Sequence, residues 1–342
     1  MSIKTTYTKF NEILVELKND YTVFAPVRFS SIGTHSDNDI IRYDKIDDVT
    51  SIVHNEKSHF SPKEIYFPIT QILFHFSNNE QHVPEIDEKK HIIIMRPCDI
   101  NSLSVFESIF IKNSNNFEDF YYKRLRDKIK IFMLECKDGF DSCFCVSMGM
   151  NKTDNYDVAL RFTEDNILCH IKSEEFQSYF NKKGENTHFI PQYVEKNSKT
   201  VEIPDIYKIT LDMFNDDIWT EYTQRCIACG RCNFVCPTCT CWSMQDVQYE
   251  EKMGTGERRR VWASCHVDGY TDMAGGHSFR RSNGERMRFK VFHKIYDFKK
   301  RFGYNMCTGC GRCDDICPEY ISYSNSINKV TKFTKGEWAD GK

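Results

Sequence analysis

Cys226, Cys229, Cys232 and Cys236 follow the spacing C-x2-C-x2-C-x3-C, with Pro237 next. Cys307, Cys310, Cys313 and Cys317 repeat it, with Pro318 next. This is the bacterial ferredoxin pattern for 4Fe-4S clusters: three thiolates wrap a loop around a cubane, and the fourth usually ligates the other cluster. The expected ligation is therefore crossed. Cys226, Cys229, Cys232 and Cys317 would hold one cluster, and Cys307, Cys310, Cys313 and Cys236 the other. Gly230 and Gly311 sit where a tight turn needs a residue without Cβ. Arg231 and Arg312 follow them and would offset cluster charge. Zinc is the competing reading, but zinc ribbons use two separated C-x-x-C knuckles rather than four cysteines in eleven residues.

A further set is more dispersed. Cys98 and Cys136 each fall where a β-rich apolar run ends, in "HIIIMRPCD" and "KIKIFMLEC". Ligands gather outside the carboxyl ends of strands in open α/β sheets. "DGFDSCFCVSMG" adds Cys143 and Cys145 on a Gly-flanked loop. If the two strands are neighbours, four thiolates converge, the number for a third 4Fe-4S cluster. The alternative is that these are ordinary small buried hydrophobes. Of the remaining cysteines, Cys169 lies in a strand pattern and is expected in the core. Cys239, Cys241 and Cys265 are expected to pack or shield rather than ligate, and His266, His277 and His293 to be packed or solvated. The C-x3-C-x2-C of Cys232, Cys236 and Cys239 matches radical-SAM spacing, but too little chain follows for that barrel. Sirohaem-like spacings are contained in any ferredoxin motif.

The 342 residues are 40% hydrophobic and 14% aromatic, enough for a sizeable core and two or three domains. A formal net charge of −3 gives no bulk attraction to nucleic acid or an anionic membrane. The opening residues lack a signal-peptide h-region, and no apolar run approaches the ~20 residues of a membrane helix. A soluble cytoplasmic protein is expected, so the sixteen cysteines are not a disulfide framework.

The elements positioning these thiols read as α+β. Phe10, Ile13, Leu14 and Leu17 have helical spacing. "YTVFAPVRF" reads as a strand interrupted by Pro26. The "HIIIM" run, the helical Leu103, Phe106, Ile109 and Phe110, and "KIKIFML" form a βαβ unit with parallel strands. "DVALRF" and "NILCHI" form a hairpin around "TED". Residues 1–200 thus read as an α/β domain with a mainly parallel sheet, and the polar stretch ending in "NKKGENTH" as a linker. Residues 201–325 read as a mostly α-helical dicluster ferredoxin-like domain, and 326–342 as a tail. Lys290, Lys294, Lys299, Lys300 and Arg301 lie on a basic helix, either a docking face for an acidic partner or a solvated face.

No G-x-G-x-x-G follows a strand, and no P-loop, H-E-x-x-H or G-x-S-x-G occurs. Without a visible site for hydride carrier or substrate, the chain reads as an electron conduit, with no flavin, NAD or sirohaem of its own. Clusters pass single electrons, so partner subunits must handle two-electron donors and the substrate.

"RPCDI", "CFCVSMG", "CIACGRCNFVCPTCTCW", "RRRVWASC", "GGHSFR" and "HKIYDFKKRFGYNMCTGCGRCDDICP" together resemble the dicluster subunit of anaerobic sulfite reductase. That family belongs to a broader dicluster group that includes β-subunits of soluble sulfhydrogenases. The resemblance implies an iron–sulfur subunit of a heteromeric cytoplasmic enzyme. It would relay electrons from a flavin/NADH subunit to a sirohaem subunit that reduces sulfite to sulfide. The rival reading is the β-subunit of a soluble nickel–iron hydrogenase. A cluster-bearing regulator is disfavoured by the near-neutral charge and absent recognition motif.

Overall fold

Within Lys90–Met95 successive side chains leave on opposite faces, as a pleated strand requires. Ile92 and Ile94 join one apolar cluster and Ile93 and Met95 another, so the strand is buried on both sides. A computed structural model describes residues 1–33, 38–77, 80–113, 117–250 and 254–338. In chain order its strands are β1 (Ser2–Thr6), β2 (Tyr21–Phe29), β3 (Ile40–Lys45), β4 (Thr70–Ser77), β5 (Glu80–His82) and β6 (Lys90–Met95). Then come β7 (Ile129–Leu134), β8 (Val158–Phe162), β9 (Asn166–Ile171), β10 (Glu185–Asn186), β11 (Trp242–Glu250) and β12 (Thr255–Trp262).

The larger sheet has the order β10-β1-β9-β8-β7-β6-β2-β3. Its centre is parallel (β2, β6, β7, β8) and both sides are antiparallel. The helix Tyr7–Asp20 buries Phe10, Ile13, Leu14 and Leu17 against one face, joined by Phe176 and Phe180 of the helix Glu174–Phe180. Each such side chain contributes about 1.5–3 kcal/mol on burial. The helix Pro97–Phe110 covers the other face with Ile100, Leu103, Phe106 and Phe110. It starts at Pro97, whose missing N–H costs nothing in the first turn.

Pro26 does not interrupt β2 as the sequence suggested. Pairing with β6 spans only Tyr21–Phe24, so Pro26 lies where one side of the strand is free of a ladder. The stretch read as a linker is also structured: Glu185 pairs with Lys4, and a Cβ at Gly184 would lie 2.5 Å from the Lys4 carbonyl oxygen.

The smaller sheet, β11-β12-β4-β5, is antiparallel throughout and joins strands from both sides of residue 200. The β11–β12 ribbon is the main departure from the mostly helical expectation for 201–325. Elsewhere that region has short helices and one longer stretch. Its Asn283–Phe292 segment begins with a Ser282–Glu285 capping box, then passes through a π-helical turn (His293–Asp297) into Phe298–Phe302. Much of the expected tail is also structured. The helix Tyr323–Thr334 buries Tyr323, Ile327 and Val330 at helical spacing, while 339–342 lie outside the described residues. No helix among the described residues is long and apolar enough to cross a membrane.

Candidate metal centre

The helix Thr220–Arg225 ends at Cys226, whose N–H donates to the Tyr222 carbonyl. Ala228 and Gly230, both at positive φ, then curl the chain so that Cys229 and Cys232 face back. Cys226, Cys229, Cys232 and Cys317 line one cavity together with Cys313, His266 and Lys290. Burial raises the Cys226 thiol, with further upward pushes from Cys232, Cys229 and Cys317. The distant Cys317 has thus been brought to the first loop.

The second loop shows the reciprocal exchange. Burial pushes Cys307 up to about 12, with Cys236 and Cys310 adding to the effect. Cys310 is also raised by burial and by Cys236, while Arg312 opposes. Cys313 feels Cys310 and Cys307. Gly309 and Gly311 are at φ +67° and +73°. A Cβ at Gly309 would lie 2.7 Å from the backbone N and Cα of Cys145, so only glycine lets the loops touch. Arg312 favours charge on the neighbouring Cys310 and Cys98 thiols, while its direct partner is a carboxylate. It is buried and donates to both carboxylate oxygens of Asp99 at 2.6 and 2.8 Å, and to Ser58.

Asp99 belongs to Arg96-Pro97-Cys98-Asp99, and each residue there has a structural task. Arg96 donates to the carbonyls of His54 and Glu56, Pro97 starts the helix, and Asp99 holds Arg312. Cys98 is left at the carboxyl end of β6, near Cys310 and Cys145. Cys136 follows β7, the parallel neighbour of β6. Cys143 and Cys145 return on a loop anchored by Phe144 N–H to the Gly309 carbonyl and Val146 N–H to Asn197. Burial pushes Cys145 up to about 12, followed by Cys143 and Cys136. The Cys143 Sγ lies 3.6 Å from the Cys310 carbonyl oxygen. The dispersed set therefore converges and abuts the second loop.

The surroundings fit an anionic iron–sulfur group. Lys63, Lys290 and Lys294 are almost wholly buried, and the groups that favour their charge most are thiols. Those are Cys239 and Cys236 for Lys63, Cys232 and Cys313 for Lys290, and Cys236 and Cys239 for Lys294. Buried ammonium groups persist only with compensating negative charge, which thiolate-bound clusters supply. Among the described residues no three Cys, His, Asp or Glu side chains converge tightly enough to clasp a single ion. A tetrahedral zinc site would need its sulfurs about 2.3 Å from the metal. The proposed docking face is corrected accordingly: Lys290 and Lys294 turn inward to the thiols, leaving Lys300 and Arg301 exposed.

Cys169 is a core residue, opposite Leu160 in the sheet. Cys239, Cys241 and Cys265 line one cavity with Lys290, Lys294 and Met306. A hydrogen bond from Cys265 is the main reason the Cys241 thiol falls to about 6, with Lys294 and Lys63 assisting against burial. His277 is exposed, and His293 stacks on Phe289. His266 is buried with neither ring nitrogen hydrogen-bonded, beside the first-loop cavity.

Sequence reasoning missed Lys63 and Asn233. Lys63 reaches the carbonyls of Cys239 and Asn233 and lies 4.0 Å from the Trp262 ring centre. Asn233 donates to Ser264 and to the Cys265 sulfur. Asn233 lies inside the first cysteine motif, a signal available to a closer reading, whereas Lys63 has none.

Residues 225–321 match the 4Fe-4S dicluster domain. The chain is also similar to the sulfhydrogenase 2 subunit beta of Pyrococcus furiosus, 27% identical over 340 residues, covering 94% of this chain and 96% of that one. Convergent thiols, buried counter-charges and this match make the chain an iron–sulfur electron-transfer protein.

Proposed function

We propose that this chain is the electron-relay subunit of a cytoplasmic multisubunit oxidoreductase. Its eight ferredoxin-type cysteines hold two 4Fe-4S clusters in the crossed arrangement, and Cys98, Cys136, Cys143 and Cys145 hold a third. Contiguity carries this reading: Cys310 neighbours Cys236 on one side and the Cys98, Cys143 and Cys145 group on the other. Such clusters supply one-electron transfer. The chain's own residues fix the thiols, exclude water from the second loop and place ammonium groups where negative charge accumulates. Similarity along nearly the whole chain to a sulfhydrogenase beta subunit favours a hydrogenase-type complex as the setting. The sulfite reductase reading, with flavin/NAD and sirohaem subunits as partners, is supported by the motif resemblance alone.

Isolation of the native complex under anaerobic conditions tests both. A nickel-containing partner with hydrogen-dependent dye reduction supports the first setting. Sirohaem and flavin chains with NADH-dependent sulfite reduction support the second. About twelve iron and twelve sulfide per chain are expected from the three proposed clusters, falling by about four in Cys98→Ala. Colourless protein without a reduced-cluster paramagnetic signal would overturn the relay itself.

A further inference from the structure

Cys239, Cys241 and Cys265 belong to none of the three four-cysteine sets, yet the fold gathers them. Cys241 immediately precedes β11 and Cys265 lies just beyond β12. The Trp242–Trp262 pairing and the Ala263 N–H to Cys241 carbonyl bond at 2.9 Å close that end of the ribbon. Cys239 enters from the first loop, with its sulfur 3.5 Å from Asn233 Oδ1, and the same Asn233 donates to the Cys265 sulfur at 3.1 Å.

The three thiols line one cavity of about 330 Å³ together with Lys290, Lys294 and Arg280. Cys169 supplies the internal contrast. It is sealed within a strand pair, and burial alone acts on its thiol. Packing cysteines have no reason to share a cavity with two buried ammonium groups and a guanidinium. A disulfide would use only two of the three sulfurs, and among the described residues no three such side chains are grouped to hold a single ion. A soft, polyanionic occupant matches the thiols and the cations together.

We propose that Cys239, Cys241 and Cys265 hold a further iron–sulfur cluster in this cavity, ligated by three protein thiolates with one iron corner facing the remaining space. Each thiol releases its proton as its iron–sulfur bond forms, the iron and sulfide being supplied during cluster assembly. Cys239 interacts directly with Cys236, so the cluster would adjoin the second ferredoxin-type site and extend the relay to a corner with an exchangeable ligand. This rests on the chain being an iron–sulfur carrier.

The test uses the full chain, loaded anaerobically with iron and sulfide. About sixteen iron per chain are expected rather than about twelve, and Cys241→Ala should remove about four independently of the four lost in Cys98→Ala. Mild ferricyanide oxidation should release the iron lacking a cysteine and produce the paramagnetic signal of a three-iron cluster. That signal should vanish in Cys241→Ala and Cys265→Ala and persist in Cys98→Ala. A loaded wild-type chain without a three-iron signal overturns the proposal while leaving the relay intact, whether or not any variant folds. So does a signal that survives both substitutions. Wild-type protein that takes up no iron removes both readings.

Discussion

Cys229 and Cys310 are the second thiols of loops with identical spacing, yet Cys229 is exposed and Cys310 is buried. The residues before them differ in the same sense. Ala228 adopts φ +57° with its methyl group tolerated, whereas Gly309, at φ +67°, has the Cys145 backbone where a methyl would go. Arg231 is exposed, while Arg312 is locked onto Asp99. The motif therefore sets the thiol spacing and the turn, and the surroundings decide what each site is suited to do. The first loop opens outward beside Ile227 and Tyr320, which are 59% and 87% exposed, and suits exchange with another chain. The second is sealed by the Arg96–Asp99 and Cys143–Cys145 segments, and suits transfer within the protein.

The largest expected difference between the loops is in stability. Arg312→Met leaves the Asp99 carboxylate buried without its partner, which costs roughly 3–5 kcal/mol. Asp99→Leu strands Arg312 in the same way. Combining the two should recover much of the loss, because a paired set of apolar residues needs no charge compensation. Arg231→Met should leave the unfolding midpoint of iron-loaded protein unchanged. Equal losses at both arginines would erase the contrast. Gly309→Ala comes next, at about 1–3 kcal/mol from backbone strain, with further loss from overlap with Cys145. It should also deplete the iron held by the second loop, followed by paramagnetic resonance. Ala228→Gly should stay within about 1 kcal/mol of wild type.

The parallel centre of the large sheet was legible because "HIIIM" and "KIKIFML" are continuous apolar runs, which strands buried on both faces require. The cysteine spacing revealed the two loops for a different reason: a cubane constrains local geometry, which spacing records. The β11–β12 ribbon was missed because "WSMQDVQYE" alternates weakly and β4, which pairs with β12, is far away in sequence. Lys290 and Lys294 were misjudged because i, i+4 lysines on an amphipathic helix normally face water. Their inward orientation follows from thiols contributed by Cys232, Cys313, Cys236 and Cys307, a long-range juxtaposition absent from the local pattern.

Those lysines sharpen the comparison electrostatically. Lys294 lies with the second set (Cys236, Cys307), whereas Lys290 interacts with Cys232 of the first and Cys313 of the second. Replacing a nearby buried cation with Met should lower a cluster potential by on the order of 100 mV, since the reduced cluster carries the greater negative charge. Of the two ferredoxin-type clusters, Lys294→Met should shift only the second, and Lys290→Met should shift both. A potentiometric titration followed by paramagnetic resonance separates these patterns. Identical shifts from the two substitutions would show that the sites share one electrostatic environment.

His266 should produce the smallest and most local effect. Both its ring nitrogens lack hydrogen-bond partners, and it lines the first-loop cavity with Cys226, Cys229, Cys232, Cys313 and Cys317. Burial, followed by Lys290 and Arg286, keeps it well below the usual histidine range, so the ring is neutral and carries one N–H to donate. A hydrogen bond to cluster sulfur should favour the reduced state. His266→Leu should then lower the first-loop potential by roughly 20–60 mV, the one-electron equivalent of about 0.5–1.5 kcal/mol, without moving the second. His266→Gln, which retains a donor, should restore part of the difference. Iron-free protein gives the complementary result: there the ring is an unsatisfied buried polar group, and His266→Leu should be neutral or stabilising. Destabilisation of iron-free protein with no potential shift in loaded protein would instead assign His266 to packing.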